Sequence, residues 1–172
     1  MDGVCKMNVQ SMLLEIEESA SYKEWKKEYP QHSFLVSIFS IVEDEKPIKW
    51  NFNFFTPGTE KATTFVTFPE ISRQGESELI SDDPKAVDIE NVTMTFPEIV
   101  ESASDAFSEN YAKMNYSKMM ATLHQEEGKP VWNISFLTDQ GKTITIRLGA
   151  DDGKMISHKA YSISDFKNLK TD

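Results

Sequence analysis

Glu15-Ile16-Glu17-Glu18-Ser19-Ala20-Ser21 returns 83 positions later as Glu98-Ile99-Val100-Glu101-Ser102-Ala103-Ser104, differing at one residue of seven. In the same register Lys46-Pro47 returns as Lys129-Pro130. After a slip of one residue, Trp50-Asn51-Phe52-Asn53-Phe54-Phe55-Thr56 returns as Trp132-Asn133-Ile134-Ser135-Phe136-Leu137-Thr138. Separate matches in one register indicate a duplication, and a period this long makes the unit a small domain, larger than a solenoid repeat.

Around the first stretch, Met12, Leu13, Ile16, Ala20 and Trp25 form an apolar stripe with Glu15, Glu17, Glu18, Lys23 and Lys26 mostly outside it. That spacing predicts an amphipathic helix ending near Tyr29-Pro30, because a residue before proline is pushed out of the helical region. Around the second stretch the helix is expected from about Pro97 to Met114, with Thr95 as N-cap and Ile99, Ala103, Ala106, Phe107 and Tyr111 facing inward.

Each helix is followed by strand signals. They cover Ser33 to Val42, Ile48 to Phe55, Ala62 to Phe68 and Glu76 to Ile80, then Lys118 to Gln125, Val131 to Leu137, Thr143 to Leu148 and Lys154 to Ala160. Turn residues such as Pro57-Gly58, Gln74-Gly75, Glu127-Gly128, Gln140-Gly141 and Asp152-Gly153 separate them. The fold class expected is therefore α+β: two tandem repeats, residues 1–83 and 84–172, each an N-terminal helix packed on a three- to four-stranded antiparallel meander. The two sheets would either join into one curved sheet or stack. A polar stretch from Ser81 to about Thr93 reads as the connection.

Composition narrows the function classes. The chain has 172 residues, 39% of them apolar, with eleven Phe and three Trp to build a core. Its longest apolar runs, such as Phe34 to Val42, are strand-sized and too short for a membrane-spanning helix. A net charge of −10 argues against nucleic acid as a partner, since phosphate binding relies on clustered Lys and Arg. Cys5 stands alone, which excludes an internal disulfide and a cysteine metal cluster. Met1 to Gln10 lacks the apolar run of a secretory signal, so the chain as written reads as cytoplasmic, or as exported if a leader has been removed.

Phe96-Pro97-Glu98-Ile99-Val100-Glu101-Ser102-Ala103, Gly128-Lys129-Pro130-Val131-Trp132-Asn133-Ile134, Gly141-Lys142 and Gly149-Ala150-Asp151-Asp152-Gly153-Lys154-Met155-Ile156 together resemble the PepSY domain. The likeness covers about 60 residues of the second half; the first half shares it through the internal match and lacks the Asp-Gly turn, having Gln74-Gly75-Glu76 instead. The resemblance implies a helix on an antiparallel sheet, duplicated as in proteins similar to the β-lactamase inhibitor proteins. It also implies export, an association with protease propeptides, inhibition or ligand binding, and no catalytic residues.

The residues themselves offer no catalytic set. His32, His124 and His158 have no Asp, Glu, His or Cys at ligand spacing on a shared element, and no phosphate loop, zincin motif or nucleophile elbow occurs. Asp82-Asp83 and Asp151-Asp152-Gly153 lack the alternating oxygens of a calcium loop and read as turns. Asn91-Val92-Thr93, Asn115-Tyr116-Ser117 and Asn133-Ile134-Ser135 match the glycosylation sequon, a frequent chance match.

Strand alternation is more informative. Trp50, Phe52 and Phe54, with Trp132, Ile134 and Phe136, should pack against the helices. The other face then receives Ser37, Phe39, Ile41, Asn51, Asn53 and Phe55, with Met120, Thr122, His124, Asn133, Ser135, Leu137, Thr143, Thr145 and Arg147. That mixture is more apolar than a solvated sheet face and has the composition of a binding surface. The expected function is a non-catalytic binding module, protein-binding or inhibitory, using Phe39, Asn53, Phe55, His124, Asn133, Leu137 and Arg147. No cofactor, metal or enzymatic activity is expected. The same face could instead join two copies as a homodimer, and the alternative function is a small-ligand carrier with a Phe-lined pocket between helix and sheet.

Overall fold

The computed structural model describes residues 8–30, 32–44, 46–78 and 82–162. Cys5, and Leu79 and Ile80 of the fourth expected strand, lie outside them. The chain forms α1 (Val9–Glu18), α2 (Ala20–Glu28), β1 (Phe34–Glu43), β2 (Lys46–Thr56), β3 (Lys61–Val66) and β4 (Ser72–Glu78). It continues through a short 3₁₀ turn at Ile89–Asn91 to α3 (Phe96–Asn110), β5 (Tyr116–Glu126), β6 (Lys129–Thr138), β7 (Lys142–Gly149) and β8 (Met155–Ser162).

The expectation of two helix-plus-meander repeats is overturned. Among the described residues all eight strands belong to one antiparallel sheet in the order β4-β3-β2-β1-β5-β6-β7-β8, and three α-helices accompany it. The join is the β1–β5 ladder, from Ser37 opposite His124 to Val42 opposite Met119. Separate meanders would present four open edges; pairing β1 with β5 satisfies the backbone groups of two of them.

The two matching heptads also differ in backbone. Glu98 to Ser104 lies within the unbroken α3, whereas Glu15 to Ser21 is broken at Ser19, whose ψ of 149° ends α1 and starts α2. The Ser19 hydroxyl donates to the Ile16 carbonyl at 2.6 Å and accepts from the Tyr22 amide at 3.2 Å. Serine thereby offers the backbone an alternative to the helical ladder. At the start of α3, Thr95 and Glu98 form a reciprocal capping box with Pro97 in the first turn.

The helices cover one face of the sheet. Trp25 of α2 packs on Phe54 and Phe65 at ring separations of 5.7 and 5.4 Å. Phe107 of α3 lies 4.6 Å from Phe136. Trp50 and Trp132, from different halves of the chain, both contact Phe96, at 4.7 and 5.3 Å, in one aromatic group at the middle of the sheet. Met12, Ile16, Ile38, Leu123, Ile134 and Ile146 complete a single continuous core.

Two turns bind the second half together. Gly128, at φ +80° after Glu127 at φ +48°, closes the tight β5–β6 hairpin. Beyond β7, Ala150 accepts from the amides of Thr93 and Met94, while Asp152 accepts from the amide of Lys154. The acidic pair Asp151-Asp152 therefore serves turn geometry.

Candidate functional site

Among the described residues no helix covers the opposite face of the sheet, and the ladder registers place its residues in rows. One row crosses all eight strands: Ser72, Val66, Asn51, Phe39, Thr122, Asn133, Arg147 and Ser157. A second places Thr64, Asn53, Ser37, His124 and Val131 side by side. A third, on the other side of the first, runs Ile41, Met120, Ser135, Thr145 and Lys159.

All seven residues expected from the sequence to form a site lie on this face, and the register separates them into clusters. Phe39, Asn133 and Arg147 share the first row, and Asn53 and His124 flank Ser37 in the second. Phe55 stands beyond them opposite Phe34 and Ala62, while Leu137 stands at the other end opposite Lys118 and Thr143. At about 3.4 Å per residue the face from Phe55 to Leu137 extends roughly 27 Å along the strands.

Polar groups on the face are tied to one another. Asn53 donates to Ser37 Oγ at 2.9 Å and accepts from Thr64 Oγ1 at 2.6 Å. Ser135 and Thr145 are bonded at 2.8 Å. Oδ1 of Asn51 and Oδ1 of Asn133 are enclosed and find no partner among the described residues. These two side chains flank Phe39 and Thr122 from either side.

One charged group organises the second half of the face. Glu126 Oε2 accepts from Arg147 Nη2 at 2.5 Å and lies 3.1 Å from His124 Nε2. Burial opposes ionisation of Glu126, but the hydrogen bonds from Arg147 and His124 outweigh it and hold its carboxyl below the usual carboxylate range. Sequence reasoning omitted Glu126, although it follows His124 by two residues on one strand and must share its face. It also omitted Phe34, which joins the face because β1 shifts register between Leu35 and Ser37, and whose ring meets Phe55 at 5.5 Å. A single extra residue in a strand leaves no mark in an alternation pattern.

The segment from Asp83 to Lys85 borders the face where His124, Asn53 and Ser37 line a shallow hollow of about 370 Å³. A wider hollow of about 670 Å³ lies at the β2–β3 turn, where Phe55 of the face joins Pro57, Gly58, Glu60, Lys61, Glu78 and Pro84 in lining it. Among the described residues no group of three His, Cys, Asp or Glu side chains is placed to hold a metal ion. No helix there is long and apolar enough to cross a membrane.

No protein-family model matches the chain, and no curated protein does. The crystal structure of a candidate lipoprotein from Clostridium difficile 630 is similar in fold, with a TM-score of 0.53 at 12% identity over 85% of this chain and 97% of that one. At that identity the likeness concerns the fold alone.

Proposed function

We propose that the chain is a non-catalytic binding module that presents the uncovered face of its sheet to a protein partner. The observation that carries this reading is the row structure: Phe39, Ile41, Phe55 and Leu137 remain half-buried on a face that no helix covers among the described residues. Such a face, aromatic and aliphatic at intervals with tied amides and hydroxyls between, suits hot-spot recognition. The PepSY resemblance supports an inhibitory form of this role.

The ring contacts among Tyr22, Trp25, Phe54 and Phe65, at 5.2 to 5.7 Å, favour the face over a pocket between helix and sheet, because side chains occupy that interface. Phe39→Asp combined with Phe55→Asp tests the reading. The fold should persist, at a cost of about 1 kcal/mol for the lost Phe34 contact. A partner captured by the unaltered chain from its own cells should no longer be retained, since buried charges would oppose its docking. Unfolding of the double variant would make the face core, and undiminished capture by a folded variant would move the surface elsewhere.

A further inference from the structure

Charge is distributed unevenly over the molecule. The chain has a net charge of −10, and Glu15, Glu18, Glu24 and Glu28 are exposed on α1 and α2. The end of the uncovered face beyond Phe39 is basic instead. There the third row runs from Ile41 and Met120 through Ser135 and Thr145 to Lys159. The register shift between Ser40 and Val42 sets two residues of β2, Ile48 and Lys49, against Ile41. One step further along the strands, Lys118 stands opposite Leu137.

Lys49, Lys118 and Lys159 are exposed, whereas Ile41, Met120 and Leu137 between them are half-buried. Glu43, the carboxylate of β1 at this end, is bonded to Lys118 at 2.8 Å. The Lys159 ammonium lies 5.0 Å from the centre of the Tyr161 ring. Neither Lys159 nor Lys49 has a carboxylate at ion-pair distance among the described residues. The opposite end of the face is bordered by Glu78, Asp82 and Asp83, so the face has a direction. Ammonium groups around an apolar centre complement a surface with carboxylates around an apolar centre. Two copies laid face to face about a two-fold axis at this end would bring the lysines together.

We propose that this basic end takes an acidic site of a protein partner, one whose apolar side chains are bracketed by Asp or Glu. The proposal rests on the reading that the uncovered face docks a protein, and it names the chemistry of what docks. Ile41, Met120 and Leu137 receive the apolar side chains, and Lys49 and Lys159 engage the carboxylates. From β2 to β8 the sheet order counts five strand spacings, which sets these two lysines about 24 Å apart.

The test titrates a random copolymer of glutamate and tyrosine into the isotope-labelled full chain and follows the amide chemical shifts. Saturable, salt-sensitive shifts are expected at Ile41, Lys49, Met120 and Lys159, with Lys23 and Lys27 of α2 unmoved. Lys49→Glu combined with Lys159→Glu should weaken binding at least about tenfold, while Lys23→Glu combined with Lys27→Glu should leave it unchanged. Absence of shifts, equal shifts at the α2 lysines, or full binding by the Lys49 and Lys159 double variant would overturn the assignment. So would phosphatidylglycerol vesicles that move these amides where the copolymer does not, since the patch would then meet a membrane. Self-association of the free chain that the same double variant abolishes would also overturn it, because the acidic helices of a second copy would be the occupant. If the copolymer fails while Phe39→Asp with Phe55→Asp still loses the partner captured from cells, the docking face stands and its acidic chemistry is wrong. Retention of that partner by the folded Phe39 and Phe55 variant removes the face and this proposal together.

Discussion

Trp132→Ala is expected to lower the unfolding free energy by about 3–5 kcal/mol, measured by urea denaturation. Trp132 is 1% exposed, lies between Leu123 and Leu148 in the ladder, and contacts both Phe96 and Trp50. Its loss opens a cavity where the start of α3 meets strands from both halves of the sheet. Trp132→Phe should cost much less, under about 1.5 kcal/mol. The smaller ring keeps part of the packing and removes an indole N–H that is enclosed without an acceptor among the described residues. A loss below about 1 kcal/mol for the alanine variant would contradict the assigned strand phase.

Leu123→Ala probes the join between β1 and β5 and should cost about 2–5 kcal/mol. Leu123 is fully enclosed, opposite Ile38 on one side and Trp132 on the other. Because the sheet is continuous, the substitution should lower the protection of β2 and β3 amides together with those of β6 and β7 in hydrogen exchange. If only the β5–β8 amides lost protection, the two sets of strands would unfold separately and the shared core would not be cooperative.

How much of this could be read beforehand depends on the range of the interactions involved. The phase of β2 and β6 was legible because Trp50-Phe52-Phe54 and Trp132-Ile134-Phe136 alternate against polar residues, and that alternation follows from local geometry. The N-terminal cap of α3 was legible in Thr95, Pro97 and Glu98 for the same reason. The union of the strands into one sheet was not, because the β1–β5 ladder joins residues more than 75 positions apart, such as Val42 and Met119, and pattern alone does not select partners. Internal similarity even misled, since the matched heptads suggested matched helices while Ser19 breaks one and Ser102 continues the other. The β4 strand was placed too late, at Glu76 and not at Ser72, because Ser72-Arg73-Gln74-Gly75 carries no apolar alternation and is held by its pairing with β3 and by Ser21. Of the candidate site, the shared face followed from alternation; the clustering of Asn53 with His124, and the Glu126–Arg147 pair, required the register.

The central claim is that the uncovered face is the surface this molecule uses. Hydroxyl-radical footprinting of the chain, free and in complex with a protein partner recovered from its own cells, measures this directly. The account predicts that Phe39, Phe55, Met120 and Leu137 are oxidised in the free chain and shielded in the complex, while exposed helix residues such as Leu14 are oxidised equally in both. Shielding of Leu14 and its neighbours, with Phe39, Phe55, Met120 and Leu137 unchanged, would contradict it and place the partner on the helical side.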